Sequence, residues 1–119
     1  AAPAGQGAYG TMAEIIWAEP ALDELEAVAG FIARDNPLAA AALVERVFAH
    51  IEQLLLHPES GSRLKERGCS RYRQIVEPPC RVIYRCGNDQ VVIVAVIREE
   101  QRLRSVRLTG RDGLQQKKK

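Results

Sequence analysis

The sequence lacks any long run of apolar residues, although 46% of its 119 residues are hydrophobic. Its aliphatic residues occur in short groups, and none approaches the roughly 20 apolar residues of a membrane-spanning helix. Aromatic residues are also few, with one Trp, three Tyr and two Phe. The short groups exclude a transmembrane helix and leave the composition of a single globular domain.

Cysteine and histidine are scarce as well. Cys69, Cys80 and Cys86 show no CxxC spacing and form no cluster with His50 or His57. The sequence therefore predicts neither a zinc site nor a disulfide framework, and no cofactor is expected. We therefore expect reduced thiols in a cytoplasmic protein. A reactive thiol is not expected, because a buried Cys usually serves as a small hydrophobe.

The two ends differ in composition from the middle of the chain. Residues 1–11 are small and polar, with neither the basic nor the apolar segment of a signal peptide. We interpret them as a leader that is vector-derived or disordered, with Met12 as the natural start. Residues 109–119 end in three Lys and are interpreted as a basic, flexible tail. The single predicted domain covers residues 12–108.

The first half of the domain predicts a strand followed by two helices. The strand, residues 14–19, ends at Pro20, which suits the first turn of a helix. Apolar residues then recur at spacings of three and four. Asn36 and Pro37 separate the helices as a cap and a helix start, and the second helix is expected to run to about Leu56.

Three strands are predicted in succession in the second half. The first, residues 72–76, ends before Pro78-Pro79, since Pro cannot donate to a strand ladder. The second, residues 81–85, ends at a Gly-Asn-Asp turn. The third, residues 90–97, is an almost unbroken β-branched run, the pattern of a strand buried on both faces. The order predicts an α+β fold in which an antiparallel helical hairpin packs on a mostly antiparallel four-stranded sheet.

Charge is divided between the two halves. Residues 12–58 contain eight acidic and two basic residues, a net charge of −6, whereas residues 61–107 contain eleven basic and five acidic residues, a net charge of +6. This asymmetry suggests a basic surface for nucleic acid or an acidic partner. Arginines within the strands predict a sheet that is apolar on one side and arginine-bearing on the other, beside a basic loop at residues 63–69. A solvated outer face is the alternative.

Several short motifs, in this order and spacing, resemble the RelE/ParE superfamily of bacterial type II toxin–antitoxin toxins. The resemblance covers roughly residues 12–108 and identifies the superfamily rather than one of its branches. The motifs are Ile15-Ile16-Trp17, Pro20-Ala21-Leu22-Asp23-Glu24-Leu25, Ile32-Ala33, Asn36-Pro37, His57-Pro58-Glu59-Ser60-Gly61, Arg71-Tyr72-Arg73, Arg81-Val82-Ile83-Tyr84-Arg85 and Val96-Ile97-Arg98.

The resemblance implies one of two activities. ParE-like members inhibit DNA gyrase and so block replication, whereas RelE-like members are ribosome-dependent endoribonucleases that cut mRNA. It also implies a cognate antitoxin whose C-terminal segment wraps the toxin. We expect that segment to dock at an exposed edge of the third predicted strand, residues 90–97, or in a groove of the helical hairpin.

The chemistry of RNA cleavage helps to choose between the two. Cleavage through the 2′-hydroxyl needs a proton acceptor, a proton donor and cations. Arg81 matches the strand arginine of the RelE-like nucleases, but the Tyr or His that other members carry beyond the last strand is replaced by Arg98-Glu99-Glu100-Gln101. The two carboxylates are expected to be poor bases, because neighbouring cations stabilise their ionised form.

We therefore favour a gyrase inhibitor without catalytic residues. The alternative is an mRNA endoribonuclease in which Arg81 is catalytic and the ribosome and its mRNA are the target; a catalytically silent fold is the third hypothesis. The residues expected to bind the target are Arg63, Lys65, Arg67, Arg71, Arg73, Arg81, Arg85, Arg98 and Arg102.

Overall fold

The structure, a computed structural model, describes residues 14–65, 71–87 and 89–100. Its elements are β1 (Glu14–Trp17), α1 (Glu19–Ala33), α2 (Pro37–Gln53), β2 (Ser62–Arg63), β3 (Arg73–Glu77), β4 (Cys80–Gly87) and β5 (Gln90–Arg98). Some predicted features lie outside the described residues, namely the leader at residues 1–11, the tail at residues 109–119, Cys69, Arg67 and Arg102. Within the described ranges, neither helix has the length and apolar character needed to cross a membrane.

The strands form one sheet in the order β1-β5-β4-β3-β2. β1 is parallel to β5, and the other three pairs are antiparallel. The helical hairpin packs on one face, with α1 against β5 and α2 against β3. The predicted α+β architecture is thus confirmed. The predicted count of four strands is one too few, because Ser62 and the first residue of the basic loop, Arg63, pair with β3 as the short strand β2.

The boundary between the helices follows the local sequence. The Asn36 side chain accepts a hydrogen bond of 3.0 Å from the backbone N–H of Ala39 and caps α2. Pro37 occupies the first turn of α2, where its missing N–H leaves no bond unmade. α2 ends at Gln53, three residues before the predicted end at Leu56.

The sheet separates two apolar clusters. On the helix side lie Ala18, Ala21, Leu25, Leu43, Val47, Ile51, Leu54, Ile75, Cys80, Val82, Tyr84, Val91, Ile93 and Val96. On the opposite face lie Ile16, Leu64, Tyr72, Ile83, Val92, Val94, Ala95 and Ile97. The prediction of a sheet that is apolar on one side only is therefore wrong. The arginines of β4 border a second apolar cluster instead of covering a polar face.

The predicted burial of the third strand on both faces is confirmed in β5. All seven residues from Val91 to Ile97 are at most 2% exposed. A register shift opposite Ile83 and Tyr84 leaves Val94 and Ala95 together in the cluster away from the helices. This bulge changes the alternation within the strand, so that Val96 again faces the helices.

β5 also lies inside the sheet and is not an exposed edge. β4 pairs with it from Gln90 to Arg98, and β1 pairs with its first four residues. The expectation that this strand offers an edge for an antitoxin segment is therefore wrong. In the described part of the chain, the outer strands of the sheet are β1 and β2.

Candidate target-binding surface

The connector at residues 57–61, between α2 and β2, is fastened to the sheet by Tyr84. The Tyr84 hydroxyl donates a hydrogen bond of 2.7 Å to the carbonyl of Pro58 and accepts one of 2.9 Å from the N–H of Gly61. A Cβ at Gly61 would come within 2.6 Å of both the Tyr84 hydroxyl and the carbonyl of Gln74, so this close approach requires glycine. Burial raises the pKa of Tyr84, which keeps the phenol protonated as a donor.

Arg73, a predicted target-binding residue, contacts the same connector. Its Nη1 donates hydrogen bonds to the carbonyls of Glu59, at 3.0 Å, and Gly61, at 2.8 Å. Arg63 lies directly across from Arg73 in the β2–β3 pair, so the two side chains share a face of the sheet. Arg73 therefore orients the segment that carries the exposed Arg63 and Lys65.

Arg81 and Arg85 lie on the sheet face opposite the helices. They alternate along β4 with Val82 and Tyr84, which belong to the helix-side cluster. The Arg81 Nε donates a hydrogen bond of 2.7 Å to the Gln74 side chain on β3. Val76, which is 42% exposed, lies directly opposite Arg81 on β3.

Two further described arginines of the predicted set, Arg71 and Arg98, lie apart from Arg81 and Arg85. Arg71 is exposed, with its guanidinium carbon 5.2 Å from the centre of the Tyr72 ring. Arg98 pairs in register with Cys80, whereas Arg73 pairs with Tyr84. These two levels are four positions apart along β4, which is about 13 Å along the strand. The described members of the predicted set thus form separate basic groups at two ends of the sheet and on one of its faces.

Sequence reasoning missed a charged cluster between α2 and the β3–β4 turn. Glu77 accepts a hydrogen bond of 3.2 Å from the Arg46 Nε, and its other oxygen lies 2.8 Å from the Nδ1 of His50. The Arg46 Nη2 also donates to the carbonyl of Pro78 at 2.9 Å. The partners are 27 to 32 residues apart in the sequence. The one available signal was that Arg46 is the single basic residue other than His within α2.

This cluster bears on catalysis because it fixes the position of His50. Glu77 pairs in register with Cys80 of the helix-side cluster, so Glu77 and His50 lie on the helix side of the sheet. Arg81 lies on the other side. Tyr72 and Tyr84 are both fully buried. These three candidate proton-transfer groups are therefore not placed on a solvent-facing surface beside Arg81.

The thiols and the acidic side chains of the described residues form no metal site. No group of three His, Cys, Asp or Glu residues within the described ranges could hold a metal ion. Cys80 and Cys86 are free thiols, and burial raises the pKa of Cys80. A cleft of about 300 Å³ beside Cys86 is lined by Leu55, Pro58, Glu59, Cys86, Gly87, Asp89 and Gln90. Its two carboxylates make it unsuited to a nucleic-acid phosphate.

Comparison with known proteins places these features in a family. Residues 15–103 match the model of the ParE toxin of the type II toxin–antitoxin system parDE. The structure resembles the chromosomal ParDE toxin–antitoxin system from P. aeruginosa, with a TM-score of 0.64 and 19% identity over 75% of this chain and 98% of that one. It also resembles the RelBE2 toxin–antitoxin complex from Mycobacterium tuberculosis, with a TM-score of 0.51 and 22% identity over 74% and 99% of the two chains.

At these identities the two structures show a shared fold, and no curated protein sequence matches the chain. The family model is more informative, because it spans well over half of the chain and includes both helices and β2 to β5. The chain belongs to the ParE toxin family of type II toxin–antitoxin systems.

Proposed function

We propose that this chain is a cytoplasmic toxin that inhibits DNA gyrase by binding and is neutralised by a cognate antitoxin. Membership of the ParE family is the observation that carries the proposal. The positions of His50, Tyr72 and Tyr84 support it, because none of the three is placed to move a proton beside Arg81 on a solvent-facing surface. A binding mechanism requires no such group.

The contact with gyrase, or with DNA held by gyrase, is assigned to two basic groups. One is the segment with Arg63 and Lys65, which Arg73 orients through the connector. The other is the pair Arg81 and Arg85 on β4. Guanidinium groups suit phosphate or carboxylate partners because they offer paired donors in a fixed plane.

The antitoxin is expected to be acidic where it covers these groups. An acidic segment lying along Arg63 and Lys65 would gain Coulomb attraction and would block the proposed contact with the target. The groove of the helical hairpin remains the proposed second docking region, because the residues exposed on its helices include Phe31, Leu38 and Phe48.

A supercoiling assay tests the proposal. Purified toxin should inhibit supercoiling of relaxed plasmid by gyrase or trap cleaved plasmid, and Arg81→Ala should weaken the effect while circular dichroism shows an intact fold. Folded wild-type toxin that leaves supercoiling unchanged at micromolar concentration would contradict gyrase as the target.

The RelE-like alternative predicts a different product. Primer extension on translated mRNA after toxin induction would show cuts at codon boundaries, and Arg81→Ala would abolish them. Such cuts, together with unaffected gyrase, would replace the proposed mechanism with ribonuclease activity. The fold shared with the RelBE2 complex makes this the proper second arm of the test.

A further inference from the structure

Gln74 of β3 is the hydrogen-bond partner of Arg81, one of the arginines proposed to bind the target. The Arg81 Nε donates a hydrogen bond of 2.7 Å to the Oε1 of the Gln74 side chain. An arginine nitrogen can only donate, so the contacting atom of Gln74 is its carbonyl oxygen. The bond is short for an N–H donor, as expected when the donor is charged. Gln74 therefore acts directly on the Arg81 guanidinium.

The backbone of Gln74 is held on several sides. Gln74 pairs with Ser62 of β2 and with Ile83 of β4, so β3 lies between two strands at this position. Its carbonyl also lies against the connector, because a Cβ added at Gly61 would come within 2.6 Å of it. The Gln74 residue is half-buried. The acceptor that faces Arg81 is thus carried by a rigid element and not by a mobile loop.

The bond to Gln74 determines how the Arg81 guanidinium can face a partner. The five N–H groups of a guanidinium lie in one plane, so a bond at Nε restricts the orientation of the whole group. Because Nε is committed to Gln74, an oxyanion can be bound by two parallel hydrogen bonds only through the edge formed by Nη1 and Nη2. Ordering this long side chain in advance also lowers the entropy lost when the target binds.

Gln74 restrains Arg81 without adding a negative charge of its own. The other residues on this face of β3 and β4 are Val76, Ile83 and Arg85, none of which is acidic. A glutamate at position 74 would accept the same hydrogen bond, but it would offset the charge of Arg81. A neutral acceptor therefore suits an arginine whose positive charge attracts an anionic group of the target.

We propose that Gln74 is a positioning residue for target binding, which fixes the Arg81 guanidinium while preserving its attraction for an anion. Gln74 acts through Arg81 and needs no contact of its own with the target. The inference rests on the proposed role of Arg81 in binding the target, but not on the target being gyrase.

A double-mutant cycle in the full chain tests the proposal, with growth arrest at matched toxin levels and inhibition of supercoiling as readouts. Gln74→Met keeps the length of the side chain but removes the amide acceptor. It should weaken both effects about two- to tenfold, the range expected for ordering one long side chain. In an Arg81→Ala background the same change should have no further effect. Gln90→Met is the matched control, because Gln90 is also a half-buried glutamine in a strand but pairs with Gly87, far from Arg81.

Gln74→Glu separates positioning from a purely structural role. The new carboxylate still accepts the bond from Arg81, so thermal unfolding followed by circular dichroism should show a stability that matches or exceeds that of the wild type. Growth arrest and inhibition of supercoiling should nevertheless weaken, because the added negative charge repels an anionic target. A purely structural role would instead make stability and toxicity change together.

The proposal is overturned if Gln74→Met acts like Gln90→Met, if its effect is the same in the Arg81→Ala background as in the wild type, or if Gln74→Glu keeps full toxicity. In these cases a loss of toxicity in Arg81→Ala would still support Arg81 as a target-binding residue. Full toxicity of Arg81→Ala would overturn the roles of both residues. Toxic protein that leaves supercoiling unchanged would exclude gyrase alone, and growth arrest would then decide the cycle.

Discussion

The Glu24 carboxylate accepts a hydrogen bond of 2.9 Å from the backbone N–H of Val96, a residue 72 positions later in the chain. The bond forms where β1 has ended, because β1 pairs with β5 only as far as Ile93. From that point α1 takes the place of a neighbouring strand along β5. A side chain of the helix thus satisfies a main-chain donor of the central strand.

This contact predicts that Glu24 stabilises the fold. Glu24→Ala would leave the N–H of Val96 without this acceptor and should lower the free energy of unfolding by about 1–3 kcal/mol. Glu24→Gln keeps an acceptor oxygen and should cost less. Glu26→Ala, an exposed position on the same helix, should change stability by less than about 0.5 kcal/mol. Urea unfolding followed by circular dichroism measures all three, and equal effects of Glu24→Ala and Glu26→Ala would contradict the prediction.

Two glycines should respond in opposite directions to the same substitution. Gly61→Ala places a methyl group against the Tyr84 hydroxyl and the carbonyl of Gln74, and should destabilise the protein by about 1–3 kcal/mol. Gly30→Ala adds a methyl group in open space within α1, and should stabilise it by about 0.5–1 kcal/mol. Thermal unfolding at low protein concentration compares the pair. A Gly61→Ala variant as stable as the wild type would show that the connector does not pack as closely as described.

The sequence alone was sufficient to predict structural features that depend on residues close together in the chain. The break at Asn36 and Pro37 follows from a cap and a restricted φ angle, and both act within four residues. The buried third strand follows from an uninterrupted β-branched run. These features were predicted correctly because the side chains involved determine them directly.

Features that depend on contacts between distant residues could not be predicted in the same way. The bulge at Val94 and Ala95 depends on the register with β4, and no residue type in β5 indicates it. Arg73 was predicted to face a target, yet it donates to the carbonyls of Glu59 and Gly61. The composition showed an arginine in a basic segment, but not which backbone carbonyls the fold would bring to it. Its binding to a target stays a prediction.

The raised pKa values of Cys80 and Tyr84 predict loss of stability in alkaline solution. Both groups are neutral when protonated, and burial in the folded state raises the two pKa values above 9.0 and 10.0. In the unfolded chain the two groups have the ordinary pKa values of 9.0 and 10.0. Their contribution to stability is complete below these values and is lost as the pH rises through the higher pKa values of the folded state. The free energy of unfolding should therefore decline above about pH 9, and more steeply above about pH 10.

Tyr84→Phe separates the two contributions. The variant should lose about 1–3 kcal/mol at neutral pH, because the N–H of Gly61 loses a buried acceptor. Its decline above pH 10 should be shallower than that of the wild type, since residue 84 no longer titrates. Urea unfolding from pH 7 to pH 11 gives both quantities. An unchanged slope above pH 10 would show that Tyr84 does not contribute to the alkaline loss.

Because the basic groups are separated, we predict that charge reversals at different positions will slow association with the antitoxin to different extents. Arg63→Glu and Lys65→Glu alter the exposed segment next to β3 and should slow association with an acidic antitoxin, with a smaller effect on dissociation. Arg98 lies about 13 Å away along the sheet, and its Nε is already 3.6 Å from the Glu100 carboxylate. Arg98→Glu should therefore change the association rate less than the other two substitutions. Stopped-flow kinetics at two salt concentrations measures the difference, which should shrink at high salt because screening acts within about 10 Å. Equal effects at all three positions would indicate attraction by net charge alone and would contradict a localised basic surface.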